Sequence, residues 1–187
     1  IDKPAITPDG LTLVGFAIGV LALPFLALGW YLAALAVIVL NRLFDGLDGA
    51  LARRRGLTDA GGFLDITLDF LFYALVPFGF MLADPAANSL AGGRLLFAFM
   101  GTGSSFLAFA ALAAKHQIDN PGYAHKSFYY LGGLTEGTET ILLFVLGCLF
   151  PEYFAVMAWG FGALCWMTTL TRIWSGYLTL KAVQRQA

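Results

Sequence analysis

Long apolar runs separated by short polar breaks dominate the chain. A helix rising about 1.5 Å per residue needs about 20 such residues to cross roughly 30 Å of hydrocarbon. Six stretches approach that length: residues 11–28, 30–53, 60–82, 93–114, 131–150 and 153–180. The runs are continuously apolar, whereas the strands of a membrane barrel alternate over segments of about ten residues. The pattern therefore predicts an all-α integral membrane protein with six transmembrane helices, in which each helix satisfies its own backbone.

Breaks and caps place the ends. Pro8, Asp9 and Gly10 form a helix entry ahead of Leu11, and Leu28-Gly29 forms a tight turn. The segments "ADPAANSLAGG" and "KHQIDNPGYAHKS" are read as an outer and an inner loop, because both are rich in turn formers. Residues 1–10 are expected to be a polar lead-in rather than a cleaved secretory signal, and residues 1–187 a single transmembrane catalytic domain. There is no internal repeat.

Composition agrees with the pattern. The chain of 187 residues is 59% hydrophobic and 12% charged, with a mean hydropathy of +0.76, well above the globular norm. Its net charge of −1 says little, but the location of charge says more. Arg53, Arg54, Arg55, Lys115, His116, His125, Lys126 and the termini carry the basic residues on one side, and Arg94 stands alone on the other. The positive-inside rule then places both termini and the Arg53 end in the cytoplasm. Cys148 and Cys165 lie inside predicted spans without metal-ligand spacing, and nothing suggests a nucleic-acid surface.

The chemistry is concentrated in "FDGLDGALARRRGLTDAGGFLDITLD". On a helix, Asp45 and Asp48 fall about 60° apart, with Gly49 and Ala52 on the same face and Leu43, Leu47 and Leu51 opposite. In the next span Thr58, Gly61, Asp65 and Asp69 recur at intervals of three or four and form one line. The short connection makes these spans antiparallel neighbours, so four carboxylates meet. At about 6 Å, each ionised pair costs on the order of 3 kcal/mol at an effective dielectric near 20. Protonation, as in a cation- or proton-coupled transporter, would relieve this, and so would two divalent cations. All-oxygen ligands favour Mg²⁺ or Mn²⁺. Gly49, Gly61 and Gly62 leave room for close approach, and Arg53 offers a fork for phosphate. Small residues in membrane helices also serve packing, and an arginine run also sets topology.

These residues resemble the signature of the CDP-alcohol phosphotransferase family, D-x-x-D-G-x-x-A-R followed, after a short gap, by G-x-x-x-D-x-x-x-D. Asp45, Asp48, Gly49, Ala52, Arg53, Gly61, Asp65 and Asp69 match every fixed position. The resemblance implies that Asp45, Asp48 and Asp65, with help from Asp69, hold two Mg²⁺ or Mn²⁺ ions, and that Asp69 is the general base. It implies that Thr12, Asp48, Gly49, Ala52, Arg53, Thr58 and Gly61 bind the CDP portion of a CDP-linked lipid, CDP-diacylglycerol being expected. An alcohol acceptor would attack, CMP would leave, and the protein would act as a homodimer in a bacterial inner membrane. One departure is the entry "TPDGLT", with Asp9 where the family has Asn, although Thr12 matches.

The acceptor is less legible. Glu136 and Glu139 share a face at the start of the fifth span, and Arg172 lies within the sixth. They are expected either to pair, as Glu139 with Arg172, or to line an acceptor pocket. Acidic residues would favour an amine or polyol, whereas Arg172, His125 and Lys126 would favour a phosphorylated acceptor.

Overall fold

A computed structural model describes residues 7–116, 118 and 134–185. His125 and Lys126, like most of the expected inner loop, lie outside the described residues. Seven α-helices and one 3₁₀ turn are described: α1 Pro8–Val20, α2 Ala22–Ala27, α3 Tyr31–Arg55, α4 Asp59–Ala83, α5 Pro85–Lys115, α6 Gly137–Leu149, the turn Pro151–Tyr153, and α7 Phe154–Gln184. With α1 and α2 counted together they make six spans, and no strand occurs among the described residues.

Four of these units are both long and apolar enough to cross a membrane by length and composition. Helix α3, at 25 residues, is about 37 Å long and spans by length, but Arg42, Asp45, Asp48 and its basic end lower its hydropathy. Helix α6 is described only as Gly137–Leu149, shorter than the expected 131–150, whose first residues lie outside the described set.

Two boundaries differ from the sequence reading. The first span breaks at Leu21, because Pro24 has no N–H to donate to the carbonyl of Val20. The expected outer loop "ADPAANSLAGG" is instead largely the first turns of α5. Asp84 caps them by accepting from the Ala87 N–H at 3.0 Å, and Pro85 takes the first helical position. Gly92 looks like loop punctuation, yet it lies where α5 crosses α4, and a Cβ would come within 3.4 Å of the Pro77 carbonyl. Gly56, at φ +103°, reverses the chain between α3 and α4; contrary to the reading of the short connection, the two helices do not pack directly on one another, because α1 and α2 lie against both, and their acids meet only through side chains.

Phe72, Phe80, Phe144 and Phe154 form a buried aromatic spine among α4, α6 and α7, with Phe80 stacked on Phe154 at 4.0 Å. Leu32, Leu90, Phe97, Met100 and Val156 point outward, as suits a protein whose solvent is lipid. Helix α1 lies tight against α3 and α4: a Cβ on Gly15 would come within 2.7 Å of Phe44 Cβ, and one on Gly19 would meet Asn41 and Phe72. The acids of α3 and α4 are thereby roofed by α1.

Candidate active site

Helices α3 and α4 bring the acids together as the spacing required. Ligand oxygens from Asp45, Asp48 and Asp65 all lie within 4.8 Å of one another. Oxygens on opposite sides of a Mg²⁺ ion span about 4 Å, so the three carboxylates suit a divalent cation. Asp48 is 5% exposed, and its Oδ2 is buried without a hydrogen-bond partner among the described residues. A buried carboxylate oxygen left unpaired costs folding energy, which a bound cation would offset. The donor set and the orphaned oxygen therefore fit a divalent metal.

Asp69 faces the same hollow but has a different partner. Arg42 Nη2 donates to its Oδ1 at 2.8 Å, and the Tyr73 hydroxyl lies 3.5 Å from its Oδ2. Asn41, Arg42 and Tyr73 are the residues the motif does not disclose. Their available signal is polar or aromatic character at helical intervals from Asp45 and Asp69.

Beside the acids opens a cavity of about 710 Å³, within the usual range for a small-molecule site. Thr12, Asp48, Gly49, Ala52, Arg53, Thr58 and Gly61 all line it, as do Asp65 and Asp69. Local chemistry explains the small residues. The guanidinium of Arg53 lies over Gly49, where a Cβ would come within 3.3 Å of Nη1. Thr58 caps α4 by accepting from the Gly61 N–H at 3.0 Å, and a Cβ on Gly61 would meet both Thr58 Oγ1 and Asp9 Oδ1. Thr7 caps α1 in the same way, through the Gly10 N–H. Two helix N-termini and Arg53 thus border the cavity, groups suited to phosphate, with Asp9 of the first turn of α1 beside them. Phe106 of α5, to which no sequence motif points, forms part of the wall.

The expected acceptor residues separate into two groups. Glu136 and Glu139 form a capping box at the start of α6, in which Glu139 accepts from the Glu136 N–H at 2.9 Å. The expected Glu139–Arg172 pair is not among the ion pairs of the described residues, because Glu139 is turned to this cap. Arg172 is buried in α7, donates to the Thr102 carbonyl at 3.3 Å, and lies over the Phe106 ring at 5.6 Å. Thr135 donates to Thr168 at 3.0 Å and ties the approach to α6 onto α7. Gly137 lies against the Tyr73 hydroxyl, so the start of α6 reaches the residue beside Asp69.

The helical bundle thus carries a carboxylate cluster fitted to a divalent cation beside a cavity large enough for a nucleotide. The sequence pattern of the CDP-alcohol phosphatidyltransferase family matches residues 5–174, so the chain belongs to that family and is a metal-dependent enzyme of its class. It is 88% identical to inner membrane protein YnjF of Escherichia coli (strain K12), over 100% of this chain and 90% of that protein. It is 29% identical to archaetidylinositol phosphate synthase of Pyrococcus horikoshii, over 90% of this chain and 82% of that one. The fold resembles that of phosphatidylinositol phosphate synthase PgsA1 of Mycobacterium tuberculosis, at 24% identity and a TM-score of 0.68. That crystal structure, with CDP-DAG bound, is matched over 92% of this chain and 87% of its own. A second structure of the synthase, in complex with manganese and citrate, gives the same TM-score over 83% of its chain.

Proposed function

We propose that this protein transfers a phosphatidyl-type group from a CDP-activated lipid, CDP-diacylglycerol in the first instance, to an alcohol acceptor and releases CMP. The observation that carries this reading is one cavity that Asp48, Asp65 and Asp69 line together with Gly49, Arg53, Thr58 and Gly61. With a divalent cation on the acids, a diphosphate held there would meet positive charge from the metal and from Arg53. CDP-DAG bound to the mycobacterial synthase of like fold supports the choice of donor.

In this reading Asp45, Asp48 and Asp65 hold Mg²⁺ or Mn²⁺, two ions with help from Asp69. When bound, the metal supplies charge neutralisation to the diphosphate and to departing CMP. Arg53 and the capped start of α4 bind and orient the CDP portion, with Thr12, Gly49, Ala52 and Gly61 shaping its bed. Asp69 takes the acceptor's hydroxyl proton as the acceptor oxygen bonds to the lipid-bearing phosphorus and the bond from that phosphorus to the CMP oxygen breaks. Glu136, Glu139 and Arg172 serve the acceptor in this reading, although none of them lines the described cavity. The protein works as a homodimer in a bacterial inner membrane, its active site facing the cytoplasm and residues 1–187 forming one catalytic domain.

Purified protein supplied with CDP-diacylglycerol and Mn²⁺ tests the proposal against a panel of serine, inositol phosphate, glycerol phosphate and aminoalcohols. Acceptor-dependent CMP release with one of them is expected, and release with none would reject it.

A further inference from the structure

Helices α5 and α7 pack closely on one another, and one end of their seam carries a charge that the transferase site does not use. Arg94 lies in the first third of α5, near the end of the bundle where α4 stops and α5 starts, which is the end opposite the acids. Its guanidinium lies 4.1 Å from the centroid of the Trp159 ring of α7, and Nη1 donates to the Trp159 carbonyl at 3.3 Å. That bond engages one of the fork's donors and leaves the others. No carboxylate is paired with Arg94 among the described residues. Asp84 is turned to its cap on the Ala87 N–H, and Glu152 is exposed in the turn ahead of α7.

The surroundings face lipid. Leu90 and Phe97, about one turn to either side of Arg94 on α5, are exposed, as is Val156 on α7. Further along, the seam stays apolar: the Phe97 and Trp166 rings lie 4.9 Å apart, and Ala163 and Leu170 are exposed on the same face of α7 as Trp159.

Depth follows from length. Each helix has 31 residues and is about 46 Å long, against roughly 30 Å of hydrocarbon, so each overhangs the core by about 8 Å at either end when centred. Trp159, close to the start of α7, then sits at the interfacial level that tryptophan favours. Contact with its ring holds the Arg94 guanidinium at the level of the lipid phosphates rather than in the hydrocarbon. A guanidinium at a lipid-facing position is costly unless it meets an anion, and its free donors match a phosphate. One cation with no carboxylate beside it favours a headgroup of net negative charge over one whose own ammonium offsets the phosphate.

We propose that the α5–α7 seam is a binding site for an anionic phospholipid in the leaflet away from the acids, with Arg94 on the lipid phosphate, Trp159 at the glycerol level and an acyl chain along Phe97 and Trp166. The site shares no residue with the lining of the donor cavity, so it stands apart from the transfer chemistry.

Tryptophan quenching by brominated lipid, with the full chain in phosphatidylcholine nanodiscs, tests it. The chain has four tryptophans, and a Trp30→Phe/Trp174→Phe background leaves Trp159 and Trp166, both at the seam, as reporters. Brominated phosphatidylglycerol should reach half-maximal quenching at about fivefold lower mole fraction than brominated phosphatidylcholine, the effect of roughly one basic group on an anionic lipid. Arg94→Leu should abolish that difference, and so should Arg94→Gln, which carries the test if Arg94→Leu does not give a folded, monodisperse protein. Equal quenching by the two lipids with Arg94 in place would overturn the proposal, as would a preference that survives the substitution. Equal quenching together with a change of oligomeric state in Arg94→Leu would assign the seam to a second copy of the chain and reject the lipid.

Discussion

The guanidinium of Arg53 lies over Gly49, one turn back on α3, so closely that a Cβ at position 49 would come within 3.3 Å of Nη1. The glycine of the signature therefore makes room for the signature arginine as well as for a ligand. Gly49→Ala should push the Arg53 guanidinium aside by a few tenths of an ångström and raise the KM for the CDP-lipid by about two- to fivefold, with a smaller change in kcat. Steady-state CMP release over a donor titration checks this.

Asp48 is expected to trade stability for binding. Its buried Oδ2 lacks a hydrogen-bond partner among the described residues, so Asp48→Asn should melt no lower than wild type in the presence of a chelator. Mn²⁺ should raise the melting temperature of wild type and leave that of Asp48→Asn unchanged, because only a state that binds the ligand is stabilised by it. Thermal melts with and without the ion measure both halves.

Asp69 is paired with Arg42, which also reaches Asp45. Asp69→Asn should lower kcat by about 10²- to 10⁴-fold, the usual range for loss of a general base, with little change in donor KM. Retained turnover would remove Asp69 from that role.

Much of this site is legible in the sequence itself. The spacing of Asp45, Asp48, Asp65 and Asp69 puts four acids on facing helices, because helical periodicity and a short connection leave few alternatives. Which acid pairs with what is not legible there. The Arg42–Asp69 contact spans 27 positions and depends on rotamers, and Phe106 enters the cavity from a helix with no local signal toward it. The loop-like "ADPAANSLAGG" misleads for a related reason: its Gly92 answers to the crossing of α4 and α5, a tertiary demand that turn chemistry does not register.

The crossing of α1 and α3 should be intolerant of bulk. A Cβ at Gly15 would come within 2.7 Å of Phe44 Cβ, next to backbone that cannot easily yield. Gly15→Val should destabilise the fold by about 1–3 kcal/mol, the usual cost of overpacking, and should weaken the Asn41 anchor on the Gly15 carbonyl. Thermal unfolding followed by helical circular dichroism reads the first effect.

Glu136 is half-buried and precedes Gly137, which lies against the Tyr73 hydroxyl. Glu136→Lys should shift acceptor preference away from amines and polyols and toward phosphorylated alcohols, with the KM for the CDP-lipid unchanged. A competition assay across the acceptor panel would show it, and an unaltered preference would remove Glu136 from the acceptor pocket.

Whether α3 and α4 jointly cage a divalent cation that grips the donor's diphosphate is best decided by titrating Mn²⁺ into purified protein, with and without CDP, in wild type, Asp48→Asn and Asp65→Asn. Wild type should show saturable binding that CDP tightens, and removal of a carboxylate from either helix should weaken it by about 10-fold or more. Mn²⁺ binding indifferent to both substitutions would contradict the assignment.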